Sequence, residues 1–269
     1  MKTVLAVAQM SSHDDKNKNL KEIECLAKDA KKAGAILLSL PENCVFMGRN
    51  TESKKAAESL DGQSISHLKS IARENGIWLS IGGFQERILN SDKIYNTHTV
   101  LDERGSLVAF YRKIHLFSAL LPTKELYAES KLVMPGKELQ TFQGPSFIGG
   151  LSICYDLRFP YLFWALRKRG AQVLFVPAAF TATTGIAHWE VLLRARAIET
   201  QSYVVAAAQI GENVSGRFTY GHAMIIDPWG LVLAECGERD RLAIAEIDIA
   251  LVEKLRRDMP IATHRVCLD

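Results

Sequence analysis

The sequence predicts a layered α/β fold, and three observations carry this prediction. Short apolar runs rich in Val, Ile and Leu recur along the chain, helical patterns lie between them, and no internal repeat or low-complexity linker breaks the alternation. The chain has 269 residues, of which 48% are hydrophobic, enough to bury a substantial core. We therefore predict one α/β domain over residues 1–269.

The order of the elements follows from the hydrophobic periodicity. The run from Val4 to Ala8 is predicted as a first core strand, because it is shorter than the roughly 7–15 apolar residues of a signal peptide. Helices are predicted over 18–33, 64–75, 160–168, 189–201 and 250–257, and further strands over 35–40, 77–84, 95–102, 106–111, 147–154, 173–180, 202–210, 222–228 and 242–249. Residues 118–143 have weak periodicity and two prolines, which predicts a long loop with a functional role.

The composition argues against several classes of protein. Lys and Arg total 33 against 30 Asp and Glu, so the net charge is only +3, and we expect neither a nucleic-acid partner nor a charged membrane surface. No apolar run approaches the roughly 18 residues of a membrane span. The five cysteines are odd in number and form no C-x-x-C, which predicts no disulfide framework, no metal site and a reducing, cytoplasmic location.

Cys154 is the first candidate for chemistry. It ends a predicted strand and is followed by Tyr155-Asp156-Leu157-Arg158-Phe159-Pro160, a strand-to-helix turn. A nucleophile in such a turn is exposed at the edge of a sheet, near backbone N–H groups that can stabilise an oxyanion. Taken alone, a cysteine after a strand is more often a small buried hydrophobe.

Glu42 and Lys113 favour the interpretation of Cys154 as a nucleophile over that of a buried hydrophobe. Glu42 follows Pro41 at the end of an apolar strand, and Lys113 ends another strand between apolar neighbours. Each residue alone is more simply a solvated loop acid or a lysine that reaches the surface. Together with Cys154 they place three reactive groups at three strand ends, which is where α/β folds bind ligands.

These segments resemble the nitrilase superfamily of carbon–nitrogen hydrolases. The resemblance rests on a Glu after a strand, an R-K-x-H-L segment (residues 112–116) and a C-Y-D-x-R-F-P segment (residues 154–160), and it continues through the block at 187–199 to D-P-W-G at 227–230. It implies a four-layer α-β-β-α sandwich, no cofactor, a homodimer or higher homo-oligomer formed through helices near the nucleophile, and a small-molecule amide as substrate.

The resemblance also implies a second Glu between the Lys and the Cys. Glu129 matches that position, and Glu125 is a weaker alternative. In the implied mechanism Glu42 takes the thiol proton of Cys154, while Lys113 keeps the total charge of the site constant. Lys113 and the Tyr155 N–H would stabilise the oxyanion, and Glu129 would orient Lys113 and the substrate.

The substrate is predicted from the same resemblance. The segments 187–201, 204–209 and 227–230 resemble the branch that hydrolyses deaminated glutathione to α-ketoglutarate and Cys-Gly. The sister branch, an ω-amidase that acts on α-ketoglutaramate, shares several of these motifs and stays open as an alternative. The loop at 118–133 departs from the first branch, which leaves the recognition of the substrate tail open.

Four residues are predicted to contact the substrate. Arg158 suits a carboxylate because a guanidinium donates two parallel hydrogen bonds, although an ion pair with Asp156 or another acid is an equal alternative. Phe180, Thr184 and His188 are weaker pocket candidates, and His188, like His115, is at least as well explained as structural. Gln209, Tyr220 and Trp229 are interpreted as core or interface residues.

Several other functions are disfavoured. The segment from Gly150 to Cys154 fails the G-x-S-x-G pattern of serine hydrolases, and no H-E-x-x-H or phosphate-binding loop is present. A scaffold protein that kept the fold and lost catalysis would be expected to lack at least one of the three reactive residues. All three are present.

Overall fold

The computed structural model describes residues 2–122, 124, 126–214 and 216–266. Its strands are β1 (Lys2–Met10), β2 (Leu37–Leu40), β3 (Trp78–Arg87), β4 (Ile94–Leu101), β5 (Leu107–Arg112), β6 (Ser118–Leu120), β7 (Leu126–Ala128), β8 (Thr141–Gln143), β9 (Ile148–Leu151), β10 (Val173–Phe175), β11 (Tyr203–Ala206), β12 (Ala208–Val214), β13 (Arg217–Tyr220), β14 (Met224–Ile226), β15 (Val232–Glu235) and β16 (Leu242–Asp248). Its α-helices are α1 (Lys16–Lys32), α2 (Asn50–Ala56), α3 (Gln63–Asn75), α4 (Pro160–Lys168), α5 (Ala182–Thr200), α6 (Ile249–Asp258) and α7 (Ile261–His264).

The first sheet is built around β1. Its strands run in the order β13-β12-β1-β2-β3-β4-β5, and β16 pairs antiparallel with β1. Because β1, β2 and β3 are parallel, their carboxyl ends meet at one edge, where the chain leaves β2 towards Glu42.

The second sheet has the order β15-β14-β11-β10-β9-β8. Its central strands β9, β10 and β11 are parallel, so they too direct their carboxyl ends to one edge. The chain leaves β9 at Leu151 and reaches Cys154 there.

Four layers result from the way the helices cover these sheets. Ile23 of α1 and Leu68 of α3 pack with the first sheet, whereas Phe163 of α4 and Trp189 of α5 pack with the second. A continuous apolar core joins the inner faces of the two sheets, where residues such as Leu37 and Leu174 are fully buried. The predicted α-β-β-α sandwich is confirmed.

The prediction of a long loop at 118–143 was wrong. β6 and β7 form a short antiparallel hairpin with Ser118 opposite Ala128, a 3₁₀ turn follows at Glu129–Lys131, and β8 closes the segment. Strands of three residues leave no readable alternation, which is why the periodicity was weak. Thr123 and Glu125, the alternative second acid, lie outside the described residues.

Helix α5 also differs from its prediction. It begins at Ala182 rather than at Trp189, because the Thr181 hydroxyl caps it by accepting a hydrogen bond from the Thr184 N–H. The small and polar residues of this first turn carry no apolar stripe.

The predicted strand at 202–210 is in fact two strands in two sheets. β11 belongs to the second sheet, and β12 crosses over to pair with β1 in the first. Both are buried on each face up to Gln209, so the sequence offers no polar residue to mark the crossing. Helix α2 and strands β13 and β15 were not predicted. Among the described residues, none of the helices has the length and apolar character needed to cross a bilayer.

Candidate active site

Glu42 lies at the centre of a buried polar cluster. One carboxylate oxygen accepts hydrogen bonds from Lys113 Nζ at 3.0 Å and from Asn96 Nδ2 at 2.8 Å. The other accepts from the Ala179 N–H at 3.0 Å. The carboxylate is therefore held between the two sheets, since Asn96 comes from β4 and Ala179 follows β10.

Lys113 bridges the two predicted acids. Its Nζ atom donates to Glu42 and to Glu129, each at 3.0 Å, while the residue is only 2% exposed. Asn96 Nδ2 also reaches Glu129, at 3.2 Å. The ammonium thus has a carboxylate on each of two sides, which offsets the cost of burying its charge.

Cys154 has an unusual backbone. Its φ is +48°, in the left-handed region that residues with a side chain seldom adopt. Its N–H donates to the Pro177 carbonyl at 2.9 Å, and it opens the 3₁₀ helix Cys154–Arg158. Its thiol shares the wall of one cavity with the Glu42 carboxylate and interacts with it. Strain of this kind persists only where the surroundings impose it, and it concentrates at functional sites.

The pKa shifts describe one resting charge state. Burial alone would raise the pKa of the Glu42 carboxyl, but Lys113 and the hydrogen bonds to the carboxylate outweigh it and hold the pKa below its ordinary value. Burial would lower the pKa of Lys113, yet Glu129 and Glu42 raise it well above its ordinary value. Burial and then the Glu42 carboxylate raise the pKa of the Cys154 thiol. The resting site therefore holds a carboxylate, an ammonium and a neutral thiol.

Asp156 is hydrogen bonded to both the segment that carries Lys113 and the segment that carries Cys154. Its buried carboxylate accepts from the Ile153 N–H at 2.9 Å, within the Cys154 turn. It also accepts from the Tyr111 hydroxyl at 2.7 Å, and it contacts the N–H and Nδ1 of His115 at 3.1 and 2.6 Å. One acid thus fixes both segments, and His115 has a structural partner.

Gly83 provides the space that Glu42 occupies. A bulge interrupts the pairing of β3 with β4 between Ile81 and Phe84, and Gly83 has a φ of +68° there. A Cβ atom on Gly83 would lie 2.6 Å from Glu42 Cγ and 2.9 Å from the Asn43 nitrogen. Gly83 and Asn96 were missed, because nothing local in the sequence reveals a contact that forms across strands.

The cluster opens into a cavity of about 350 Å³. The cavity is lined by Glu42, Lys113, Glu129 and Cys154, and the hairpin β6–β7 contributes to its wall through Tyr127 and its neighbours. The segment at 118–133, whose role was left open, therefore borders the site.

A second, narrower recess begins on another side of Cys154. Tyr155, Arg158, Phe180 and Thr184 line it. Arg158 lies with its guanidinium 5.2 Å from the centre of the Phe180 ring, and its Nη2 contacts His188 Nδ1 at 3.3 Å. His188 is exposed and supports Arg158 rather than lining either space.

The positions of Arg158, Gln209 and Trp229 bear on their alternative interpretations. Asp156 is engaged by Tyr111, Ile153 and His115, and no ion pair joins it to Arg158 among the described residues. Gln209 is buried and donates to the Glu42 carbonyl at 2.9 Å, as expected of a core residue. Trp229 is 64% exposed, so it does not belong to the core and remains a candidate interface residue.

No metal site competes with this interpretation in the part of the chain that the structure describes, where no group of three His, Cys, Asp or Glu side chains is arranged to hold an ion. The four-layer sandwich, with an acid, an ammonium and a thiol in contact between its sheets, has the architecture of the nitrilase superfamily.

The family is shown by a direct match. The model of the family described as "Carbon-nitrogen hydrolase" matches residues 4–257. The chain belongs to the carbon–nitrogen hydrolase family, so it is a hydrolase of C–N bonds.

Similar proteins cover nearly the whole chain. It is 45% identical to deaminated glutathione amidase of Bos taurus, over 97% of this chain and 81% of that protein. It is also 45% identical to deaminated glutathione amidase of Synechocystis, over 99% of both chains.

A solved structure confirms the fold. The NitFhit protein of C. elegans superimposes with a TM-score of 0.93 and 42% identity. The alignment covers 98% of this chain but only 65% of the NitFhit chain, so this chain corresponds to about two thirds of that protein.

Proposed function

We propose that this protein is an amidase that hydrolyses deaminated glutathione to α-ketoglutarate and Cys-Gly through a thioester on Cys154. The observation that carries the chemistry is the contact of Lys113, Glu42 and the Cys154 thiol in one buried cluster. The names of relatives that are 45% identical over 97% of the chain support the choice of substrate. No cofactor is required, because acid, cation and nucleophile all come from the chain.

The first half of the reaction acylates Cys154. Glu42 takes the thiol proton as sulfur attacks the amide carbonyl, so the charge moves from carboxylate to thiolate while the Lys113 ammonium stays in place. Because burial and the Glu42 carboxylate raise the pKa of the thiol, attack requires a base to take its proton. Lys113 and the Tyr155 N–H, in the first turn of the 3₁₀ helix, stabilise the oxyanion. Protonated Glu42 then donates to the departing amine of Cys-Gly.

The second half releases the acid. Glu42, again a carboxylate, takes a proton from water as the water oxygen attacks the thioester carbonyl. The carbon–sulfur bond breaks, the proton returns to sulfur, and α-ketoglutarate leaves. Glu129 acts as a positioning residue here, because it holds Lys113 at 3.0 Å and accepts from the Phe117 N–H at 2.7 Å.

The narrower recess, of about 20 Å³, has room for one small polar group, such as the carboxylate at the end of the acyl half of the substrate. Arg158 binds the carboxylate of the keto acid there, with its guanidinium placed by the Phe180 ring and by His188. Thr184 and Phe180 form the adjoining wall. This assignment places the scissile carbonyl at Cys154, where the recess and the cavity meet.

We propose a homodimer that forms through an exposed apolar face of α5. Val191 and Ile198 lie on the outer side of α5 and are 68% and 47% exposed, and Trp229 and Leu231 lie in the adjoining turn at 64% and 60%. The inner side of α5 supports the Cys154 turn, because Arg196 donates to the Leu157 carbonyl. We assign a second copy to this face, since a patch of this kind is typical of an interface. Ile198→Glu should shift sedimentation from dimer to monomer; a wild-type monomer would refute the assignment.

Location and domain count complete the proposal. Four cysteines (Cys25, Cys44, Cys154 and Cys236) are free thiols, which fits a cytoplasmic protein. The family match from residue 4 to residue 257 supports one catalytic domain.

The proposal is tested by turnover. We expect Cys154→Ala and Glu42→Gln to fold with wild-type circular dichroism and to lose at least 1000-fold in kcat on deaminated glutathione. The matched control is Cys44→Ala, because Cys44 is also buried and free but lies outside the cluster. Full activity of Cys154→Ala would refute the mechanism, and a higher kcat/KM on α-ketoglutaramate than on deaminated glutathione would refute the substrate.

A further inference from the structure

The cavity beside Cys154 has two cations that the mechanism does not use. Lys131 and Arg217 line the same cavity as Glu42, Lys113 and Cys154, and both are exposed at their outer ends. We call this pair the outer cations. Among the described residues that line the cavity, Glu42 and Glu129 are the only acids, and both are bound to Lys113. Within the part of the wall that the structure describes, the outer cations therefore have no carboxylate to neutralise them.

Arg217 packs on an aromatic wall and has no ion pair with any residue that the structure describes. Its guanidinium lies 4.9 Å from the centre of the Tyr127 ring. Tyr127 packs on Phe117, and Phe117 on Tyr155, each with ring centres 5.0 Å apart. The rings of Tyr155, Phe117 and Tyr127 thus form the aromatic wall, which reaches Arg217. Stacking on a ring face orients a guanidinium and leaves its N–H groups free for a ligand.

With the scissile amide at Cys154, the acyl half and the amine half of the substrate must extend from Cys154 in two different directions. The acyl half points its carboxylate at Arg158, which lines a recess of about 20 Å³ that has room for this group and not for the whole acyl half. The departing amine then lies in the cavity of about 350 Å³, where the uncompensated charges of the described lining residues are positive. Ammonia, the leaving group of a primary amide, would make no use of such a surface.

We propose that Arg217, with Lys131, binds a free carboxylate at the far end of the leaving amine. The site would thereby select amides whose amine portion is a short peptide with an unblocked C-terminus. This inference rests on the proposed function and deepens it, because it assigns the discrimination against α-ketoglutaramate-type substrates to two named side chains. A carboxylate bound by a solvent-accessible guanidinium changes affinity by about 10- to 30-fold.

The test compares three substrates across matched variants. The substrates are deaminated glutathione, the same compound with its glycine carboxylate converted to an amide, and α-ketoglutaramate. Arg217→Met should lower kcat/KM for deaminated glutathione by about 10- to 30-fold through KM, and leave the other two substrates within twofold. Lys131→Met should act in the same direction more weakly, because an ammonium offers no paired donors. Arg104→Met, which removes an exposed cation from the turn after β4, should change nothing.

The outcomes separate this inference from the proposed function. A loss shared equally by all three substrates, or no loss in Arg217→Met, would overturn the carboxylate site. If the wild type hydrolysed none of the substrates, the proposed function would fail. The carboxylate site would then be decided by calorimetric binding of free Cys-Gly and of Cys-Gly amide to wild type and Arg217→Met. A preference for the free acid that disappears in the variant supports the site, and equal binding of both ligands by the wild type refutes it.

Discussion

Gly83→Ala tests whether the position of Glu42 controls activity. The new Cβ atom would lie 2.6 Å from Glu42 Cγ, so the carboxylate must shift by about 0.8 Å to restore an ordinary contact of 3.4 Å. A displacement on the order of 1 Å in a reacting group lowers catalysis by roughly 100-fold. Placing a residue with a side chain at a φ of +68° costs a further ~1–2 kcal/mol of stability. We expect kcat/KM to fall about 100-fold while the protein remains folded.

A matched glycine separates the two effects. Gly34 follows α1 with a φ of +86°, and a Cβ there would meet nothing within 4 Å. Gly34→Ala should therefore lose stability by a similar amount and keep its activity. The assays are the free energy of unfolding from urea titration and kcat/KM on deaminated glutathione. If Gly83→Ala unfolded at the same urea concentration as Gly34→Ala and retained wild-type kcat/KM, the placement of Glu42 would not matter as we argue.

Two further predictions concern buried groups. Asp156→Asn places an amide N–H against the hydrogen-bond donors of Tyr111 or Ile153. The free energy of unfolding should therefore fall by about 1–3 kcal/mol, and kcat should fall more than KM rises. An unchanged kcat would show that Asp156 does not position Cys154. Burial lowers the pKa of His98 to about 4. As the pH falls from about 6.5 to 4, His98 therefore gains a proton in the unfolded chain but stays neutral in the folded chain. The free energy of unfolding should decline by roughly 3 kcal/mol over that range. His98→Gln should flatten this part of the stability–pH curve, and an unchanged slope would assign it to other groups.

The sequence was sufficient for the architecture and for the reactive residues. Glu42, Lys113 and Cys154 could be identified because each follows an apolar strand, and parallel strands bring such ends together. Their contact requires the two sheets to face each other, as the resemblance implied. In the structure the three residues follow β2, β5 and β9 and meet beyond the ends of these strands. Their catalytic roles remain predictions.

Other parts of the site lie beyond local sequence reasoning. Gly83, at the bulge in β3, and Asn96, on β4, contact Glu42 only across strands, and their residue types carry no chemical signal. The positive φ of Cys154 is imposed by long-range contacts such as its hydrogen bond to Pro177. The crossing from β11 to β12 is hidden because strands buried on both faces lack alternation. The hydrophobic periodicity of a sequence indicates which residues are buried, but it does not indicate which sheet a strand joins.

The most direct measurement of the mechanism is rapid quenching of the enzyme with deaminated glutathione, followed by mass spectrometry of the peptide that contains Cys154. Our account predicts an α-ketoglutaryl group on Cys154 during turnover, removed by hydroxylamine and absent from Cys154→Ala. Steady turnover with no acyl group on Cys154 at any quench time, together with activity retained in Cys154→Ala, would contradict it.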